Sequence, residues 1–192
     1  MEREHLIYAV YALFFFLLAG SILATPLLAF SCDMEFSYEI FSYTCHQKLS
    51  RSLCVFNEGA GYWIDDCTPQ TGEYITGMAD RFTIRVEENG ATGYKLPVCS
   101  RDTGLYMALL LGALLYPLAR EIKDKKIPPA IFLIIAIVPI AIDGSLQIIT
   151  ELGVAPFVYE SSNLIRMVTG GAAGLVSSFY AIPVLVNMFG RP

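Results

Sequence analysis

Ile127-Pro-Pro-Ala-Ile-Phe-Leu-Ile-Ile-Ala-Ile-Val-Pro-Ile-Ala-Ile-Asp-Gly-Ser-Leu-Gln-Ile-Ile-Thr150 is a run of 24 residues with one ionisable side chain, Asp143. A helix needs about 20 mostly apolar residues to cross the hydrocarbon core of a bilayer, so this run is long enough to span one. Three more stretches pass the same test: Leu6 to Phe30, Thr103 to Ala119, and Leu164 to Phe189. The pattern predicts an all-α membrane protein. It would form a single membrane domain over residues 1–192, with transmembrane helices at 6–30, 103–119, 127–150 and 164–189. The first stretch is longer than the apolar core of a signal peptide, about 7–15 residues. Its flank, Met1-Glu-Arg-Glu4, is not basic. It is therefore read as a retained helix.

Composition agrees. Hydrophobic residues make up 55% of the chain and charged residues 16%, against roughly half and a quarter in soluble domains. The net charge of -5 and the lack of a basic run exclude nucleic acid as a partner. The lipid bilayer is the partner this composition calls for.

Charge also orients the spans. The short connection Arg120-Glu-Ile-Lys-Asp-Lys-Lys126 is rich in Lys and Arg, whereas residues 151–162 have neither. The positive-inside rule puts 120–126 in the cytoplasm. Both termini of this integral cell-membrane protein then lie inside, with Arg3 and Arg191 in agreement. Residues 32–98 and 151–162 become extracytoplasmic. All five cysteines (Cys32, Cys45, Cys54, Cys67 and Cys99) fall in or beside the 32–98 segment. Disulfides are ordinary there, but an odd number cannot all pair within one chain. Cys54 and Cys67 flank a polar insert that a disulfide between them would tie off, and Cys32 competes for either partner. Further on, Arg81-Phe-Thr-Ile-Arg-Val-Glu87 alternates polar and apolar residues. Asn89-Gly90 follows, then Ala91 to Leu96, which predicts a small β-hairpin in the extracytoplasmic segment.

Candidate site residues gather at the extracytoplasmic end. Asp143 lies about 10 Å inside its span at 1.5 Å per residue. A charge at that depth is costly unless it is paired or hydrated. Gln147 is one turn further out on the same face. Asn163, Arg166 and Thr169 recur at helical spacing in the fourth span. Arg166 and Asp143 have similar depth and opposite charge. They either form a structural ion pair or border a hydrated pocket. Gly170-Gly-Ala-Ala-Gly174 carries small residues four apart, a close-packing signal. His5, at the inner end of the first span, cannot reach this region and marks the membrane interface.

Cys99 and Asp102, three apart, share a face in a first helical turn. Cys45-His46-Gln47 and Arg51-Ser52 follow the first span. Cys45, His46, Cys99 and Asp102 are ligand types for zinc or a similar divalent metal. A Cys45–Cys99 disulfide and a merely surface-exposed His46 are the alternatives. Gln47, Arg51, Ser52, Gln147, Asn163 and Thr169 are candidate pocket residues. Asp143, Arg166 and Arg101 are candidate catalytic ones.

These pieces resemble an uncharacterised family of small membrane proteins, domain of unknown function 2085. The resemblance rests on Cys45-His46-Gln47, Arg51-Ser52, Pro97-Val98-Cys99, Arg101, Thr103-Gly104, Tyr106, Asp143, Gln147, Ser162-Asn163, Arg166 and Thr169-Gly170. Residues 53–96 are outside the pattern. Many members look like Cys-x-Arg-Cys where this chain has Cys99-Ser-Arg-Asp102. That departure removes a redox-active Cys-x-x-Cys pair but keeps a metal ligand, since carboxylate can replace thiolate on zinc. The resemblance supplies no activity.

One function these residues support is a metal-dependent membrane enzyme acting on a lipid or another anionic substrate. The metal would polarise the substrate or activate water, and Arg51, Arg101 and Arg166 would hold its anionic group. Four protein ligands, however, would fill a tetrahedral zinc and make it structural. The alternative is a non-enzymatic protein that binds or transports an anion or small solute and carries a structural metal. A single four-helix chain is small for a transporter, so that version needs a homo-oligomer. A third alternative is extracytoplasmic thiol–disulfide chemistry. The sequence does not choose between enzyme and binding protein.

Overall fold

The computed structural model describes residues 2–59, 61–67, 83–154, 156–157 and 159–190. Arg81, Phe82 and Arg191, used in the expectations above, lie outside them. The elements are α1 (Arg3–Ala29), α2 (Glu35–Ser42), a 3-10 turn (Leu49–Arg51), β1 (Leu53–Asn57), β2 (Tyr62–Asp66), β3 (Arg85–Glu88), β4 (Ala91–Lys95), α3 (Ser100–Ala119), α4 (Ala130–Glu151) and α5 (Asn163–Phe189). Helices α1, α3, α4 and α5 are long and apolar enough to span a membrane, and they are the four expected from sequence. Helix α3 starts at Ser100, ahead of the apolar span expected from Thr103, with Asp102 in its first turn as the spacing predicts. Helix α4 starts only after Pro128-Pro129, because proline lacks an N–H and disfavours helical backbone in the residue before it.

The chain divides into two compact units, residues 1–19 with 104–192, and residues 20–103. In the first, α3 and α5 meet through glycines. A β-carbon at Gly104 would run into the Met167 carbonyl, and one at Gly174 into that of Leu105. One at Gly112 would lie 2.7 Å from Ser178 Cβ. The small residues near Gly174 are thus a helix contact, as their spacing predicts. Ser178 Oγ donates to Leu109 O (2.8 Å) and accepts from Tyr11 OH (3.1 Å), which joins α1, α3 and α5. Tyr11, Ala113, Tyr116 and Ile182 form the core there. At one end of this unit Lys123 Nζ meets Glu2 (2.6 Å). The N-terminal residues and the 120–126 connection therefore share an end.

In the second unit the sheet is larger than the predicted hairpin. It is antiparallel, in the order β2-β1-β4-β3. The β3–β4 hairpin is the expected one. Asn89 (φ 51°) and Gly90 (φ 87°) are both left-handed, the requirement of a two-residue type I′ turn. Strand β1 pairs on one side with β4 and on the other with β2. Cys54 and Cys67 form a disulfide with Cα atoms 4.9 Å apart, leaving Cys32, Cys45 and Cys99 as free thiols. Leu49, Cys54, Phe56, Cys67 and Ala91 make the core, with Val86 against it. Gly93 is required where it sits: a β-carbon would lie 2.6 Å from Phe56 Cδ1. The added helix α2 buries Tyr38 and Phe41. Tyr38 OH donates to Lys95 O (2.5 Å), tying α2 to β4.

Candidate metal centre and intramembrane polar cluster

The tract leading into the 3-10 turn is fixed by Gln47. Its backbone is left-handed (φ 53°), a conformation that a non-glycine residue holds only when its surroundings enforce it. Its side chain is buried and Nε2 donates to Tyr38 O (2.7 Å) and Pro97 O (2.8 Å). Its carbonyl accepts from the buried Lys95 ammonium (2.8 Å). Gln47 is thus a scaffold for the Cys45 tract. Ser52 has the same character, since it is buried and donates to Lys48 O at 2.8 Å. Ser100 Oγ reaches Arg51 O (3.0 Å), holding this tract against the start of α3.

The consequence is a group of three potential metal ligands. The ligand atoms of Cys45, Cys99 and Asp102 all lie within 4.8 Å of one another. Cys99 Sγ donates to Asp102 Oδ2 (3.2 Å), and the Cys99 amide donates to Cys45 Sγ (3.2 Å). His46, the fourth expected ligand, is exposed and not in the group. Cys45 and Gln47 are buried on either side of it. In an open backbone neighbouring side chains point to opposite sides, so burying Cys45 turns His46 outward.

The thiols influence each other. Cys99 is pushed well above the usual thiol range, first by its hydrogen bond with Cys45, then by burial and by the Asp102 carboxylate. Cys45 is pulled down, chiefly by that same bond. The group suits a thiophilic divalent ion. Tetrahedral zinc with Zn–S of 2.3 Å places donor atoms about 3.8 Å apart, and a group confined within 4.8 Å needs little rearrangement to reach that. Cys32 stands apart from it, exposed.

The residues expected near Asp143 also come together, with different partners. Buried Asp143 accepts from Tyr159 OH (2.9 Å), Ser161 Oγ (3.2 Å) and Gln147 Nε2 (3.3 Å). Gln147 also donates to Ser161 Oγ (2.5 Å). An Arg166–Asp143 ion pair, one of the two alternatives, is not the one seen: Arg166, only 2% exposed, pairs with Glu160. Its Nε and Nη1 are buried without a hydrogen-bond partner among the described residues. Asn163 is buried beside it in the first turn of α5. Thr169, an expected pocket residue, is occupied by its own helix, donating to Ile165 O and Arg166 O. Sequence reasoning missed Tyr159 and Glu160. The signal available was that a buried cation requires a carboxylate within reach, and Glu160 lies six residues before Arg166.

Comparison with known proteins agrees with this architecture. The family described as predicted membrane protein (DUF2085) matches residues 90–180, which include Cys99, Asp102, Asp143 and Arg166. An uncharacterized protein of Methanocaldococcus jannaschii is 30% identical over 151 residues, 79% of this chain and 69% of that one. No solved structure matches. With its four apolar spans, its match to the family pattern and this archaeal relative, the chain belongs to the DUF2085 family of membrane proteins.

Proposed function

We propose that this is a membrane protein whose 20–103 unit holds a zinc-type divalent ion on Cys45, Cys99 and Asp102, faces the extracytoplasmic side, and acts on a lipid or other anionic substrate. One observation carries the reading: three donors converge while His46 stands outside. A metal with three protein ligands keeps a coordination position open for water or substrate, as catalytic zinc sites do. The objection from a filled tetrahedron therefore falls away. Bound there, the metal supplies Lewis-acid polarisation of a carbonyl or phosphoryl group. Around it, Gln47 holds the Cys45 tract in place, and Arg51 and Arg101 add positive charge for an anionic group. The lysine- and arginine-rich 120–126 connection supports the orientation.

Cobalt(II) reports this site directly. Loaded into the metal-depleted protein in detergent, it should give the near-ultraviolet thiolate-to-cobalt absorption. Cys45→Ser and Asp102→Ala should weaken or abolish that band, and His46→Ala should leave it intact. A band that needs His46, or none in the unaltered protein, overturns the three-donor centre.

A second reading is favoured by Arg166. Its guanidinium nitrogens Nε and Nη1, buried beside Asn163 and without a partner among the described residues, suit an oxygen-bearing solute, and the protein would then bind or transport it without catalysis. Equilibrium binding of radiolabelled inorganic phosphate, abolished by Arg166→Gln, would support this reading, and no binding would refute it.

A further inference from the structure

Helix α2 is too short to span a membrane, yet alongside exposed Glu35 and Glu39 it carries apolar side chains on both its buried and its exposed side. Tyr38 and Phe41 are buried, while Phe36 (75% exposed), Ile40 and Tyr43 (83%) face outward at i, i+4, i+7 spacing. That spacing places them on one helical face. The sheet repeats the pattern. Among the described residues strand β2 is an edge strand, and Tyr62 (57%) and Ile64 (55%) are exposed. They are two apart, so they share one face of the sheet. An apolar edge left in water is an aggregation hazard that proteins normally cover or charge.

Both surfaces adjoin the point where α1 ends. Phe30, the residue after α1, packs edge-on against Tyr62 (ring centroids 5.3 Å apart) and Tyr94 (4.8 Å). The face of the sheet bearing Tyr62 and Ile64 is therefore the one beside the helix end. The last turns of α1 within this unit expose Leu23, Leu27 and Leu28, as a span facing lipid does. The exposed side chains of α2 and β2 continue that apolar surface past the helix end. Tyr43 and Tyr62 are among them, and tyrosine concentrates at headgroup level because it is apolar with a polar tip.

We propose that α2 and β2 lie in the headgroup–acyl boundary of the leaflet through which α1 emerges, so that the sheet is seated on the membrane and does not stand off in water. The contact is interfacial, as for amphipathic helices lying in the membrane plane. It involves no bound metal and does not depend on the metal reading.

Trp63 is the sole tryptophan of the chain. It lies between Tyr62 and Ile64, is 41% exposed and stacks on Phe56 on the other face of β2, so the double variant Trp63→Phe with Ile64→Trp moves the single fluorophore onto the proposed contact face. The full chain with this double substitution, in phosphatidylcholine vesicles containing brominated phosphatidylcholines, gives the test. Bromines near the glycerol end of the acyl chain should quench most of the emission, and bromines near the chain terminus should quench less. Aqueous acrylamide should quench less in vesicles than in urea-denatured protein. Three outcomes overturn the proposal: no quenching by any brominated lipid with full acrylamide access, which means a solvated edge; no quenching by either agent, which means a protein cover such as a second copy; or strongest quenching by the deepest bromines, which means burial in the acyl core.

Discussion

Two side chains show how the surroundings divide roles among residues of similar type. Cys45 and His46 are neighbours and were equal candidates as ligands by composition, but the backbone turns one inward and the other to solvent. Gln47, an apparent pocket residue, instead spends both of its amide hydrogens on backbone carbonyls and fixes that turn. None of this is legible in the sequence, because a left-handed glutamine is set by partners 9 and 50 residues away in the chain. Arg166 gives the sharpest residue-scale prediction. Its pair with Glu160 is buried at the arginine end, and removing one member of a buried pair leaves the other desolvated and unpaired. Arg166→Gln should therefore destabilise the protein by about 3 kcal/mol, read as thermal unfolding in detergent by circular dichroism. Asp143 is held by hydroxyl and amide donors. Asp143→Asn should cost less, about 1–2 kcal/mol, because an amide of the same shape still accepts from these hydroxyl and amide donors. Equal losses for the two variants would contradict the assignment of Glu160 as the partner of Arg166.

At the scale of elements, what could be read from sequence was local. The β3–β4 hairpin announces itself through Asn89-Gly90, because both central positions of its turn require left-handed backbone. The four spans announce themselves by length and apolarity. Strands β1 and β2 did not. Their pairing with β4 closes the insert between Leu53 and Asp66 onto a distant hairpin, and only tertiary contacts select that register. Helix α2 is eight residues long and carries apolar side chains on both sides, so its periodicity is weak. The small-residue signal in α5 was legible as packing, but its partner was not. The structure shows that partner to be α3, through Gly104, Gly112 and Gly174. Gly174→Val should force the two helices apart at the Leu105 carbonyl and cost about 1–3 kcal/mol, the usual range for overpacking. Gly20→Ala, where nothing lies within 4 Å of the added carbon, serves as the control, and no loss of stability is expected there. If both variants unfold at the same temperature as the parent, the α3–α5 contact is not the close one described.

For the whole molecule, the membrane class follows from composition and the site residues from their clustering near the ends of spans. Partner choice was out of reach, since sequence does not say which helices touch. That is why Asp143 was matched with Arg166 on depth and sign alone, and why Glu160 was passed over. The candidate metal ligands were legible as residue types, and their number was not. Three donors in a group, with two thiols and a carboxylate from the start of α3 and the tract before the sheet, is a finding of the fold. Under the proposed reading, an ion held by these three described residues alone would keep a coordination position open. Elemental analysis of the full chain, purified in detergent without chelator, tests this most directly. Close to one zinc-type divalent ion per chain is expected, lost when Cys45 and Cys99 are both replaced by serine. Less than about a tenth of an ion per chain, or full occupancy in that double variant, would contradict it.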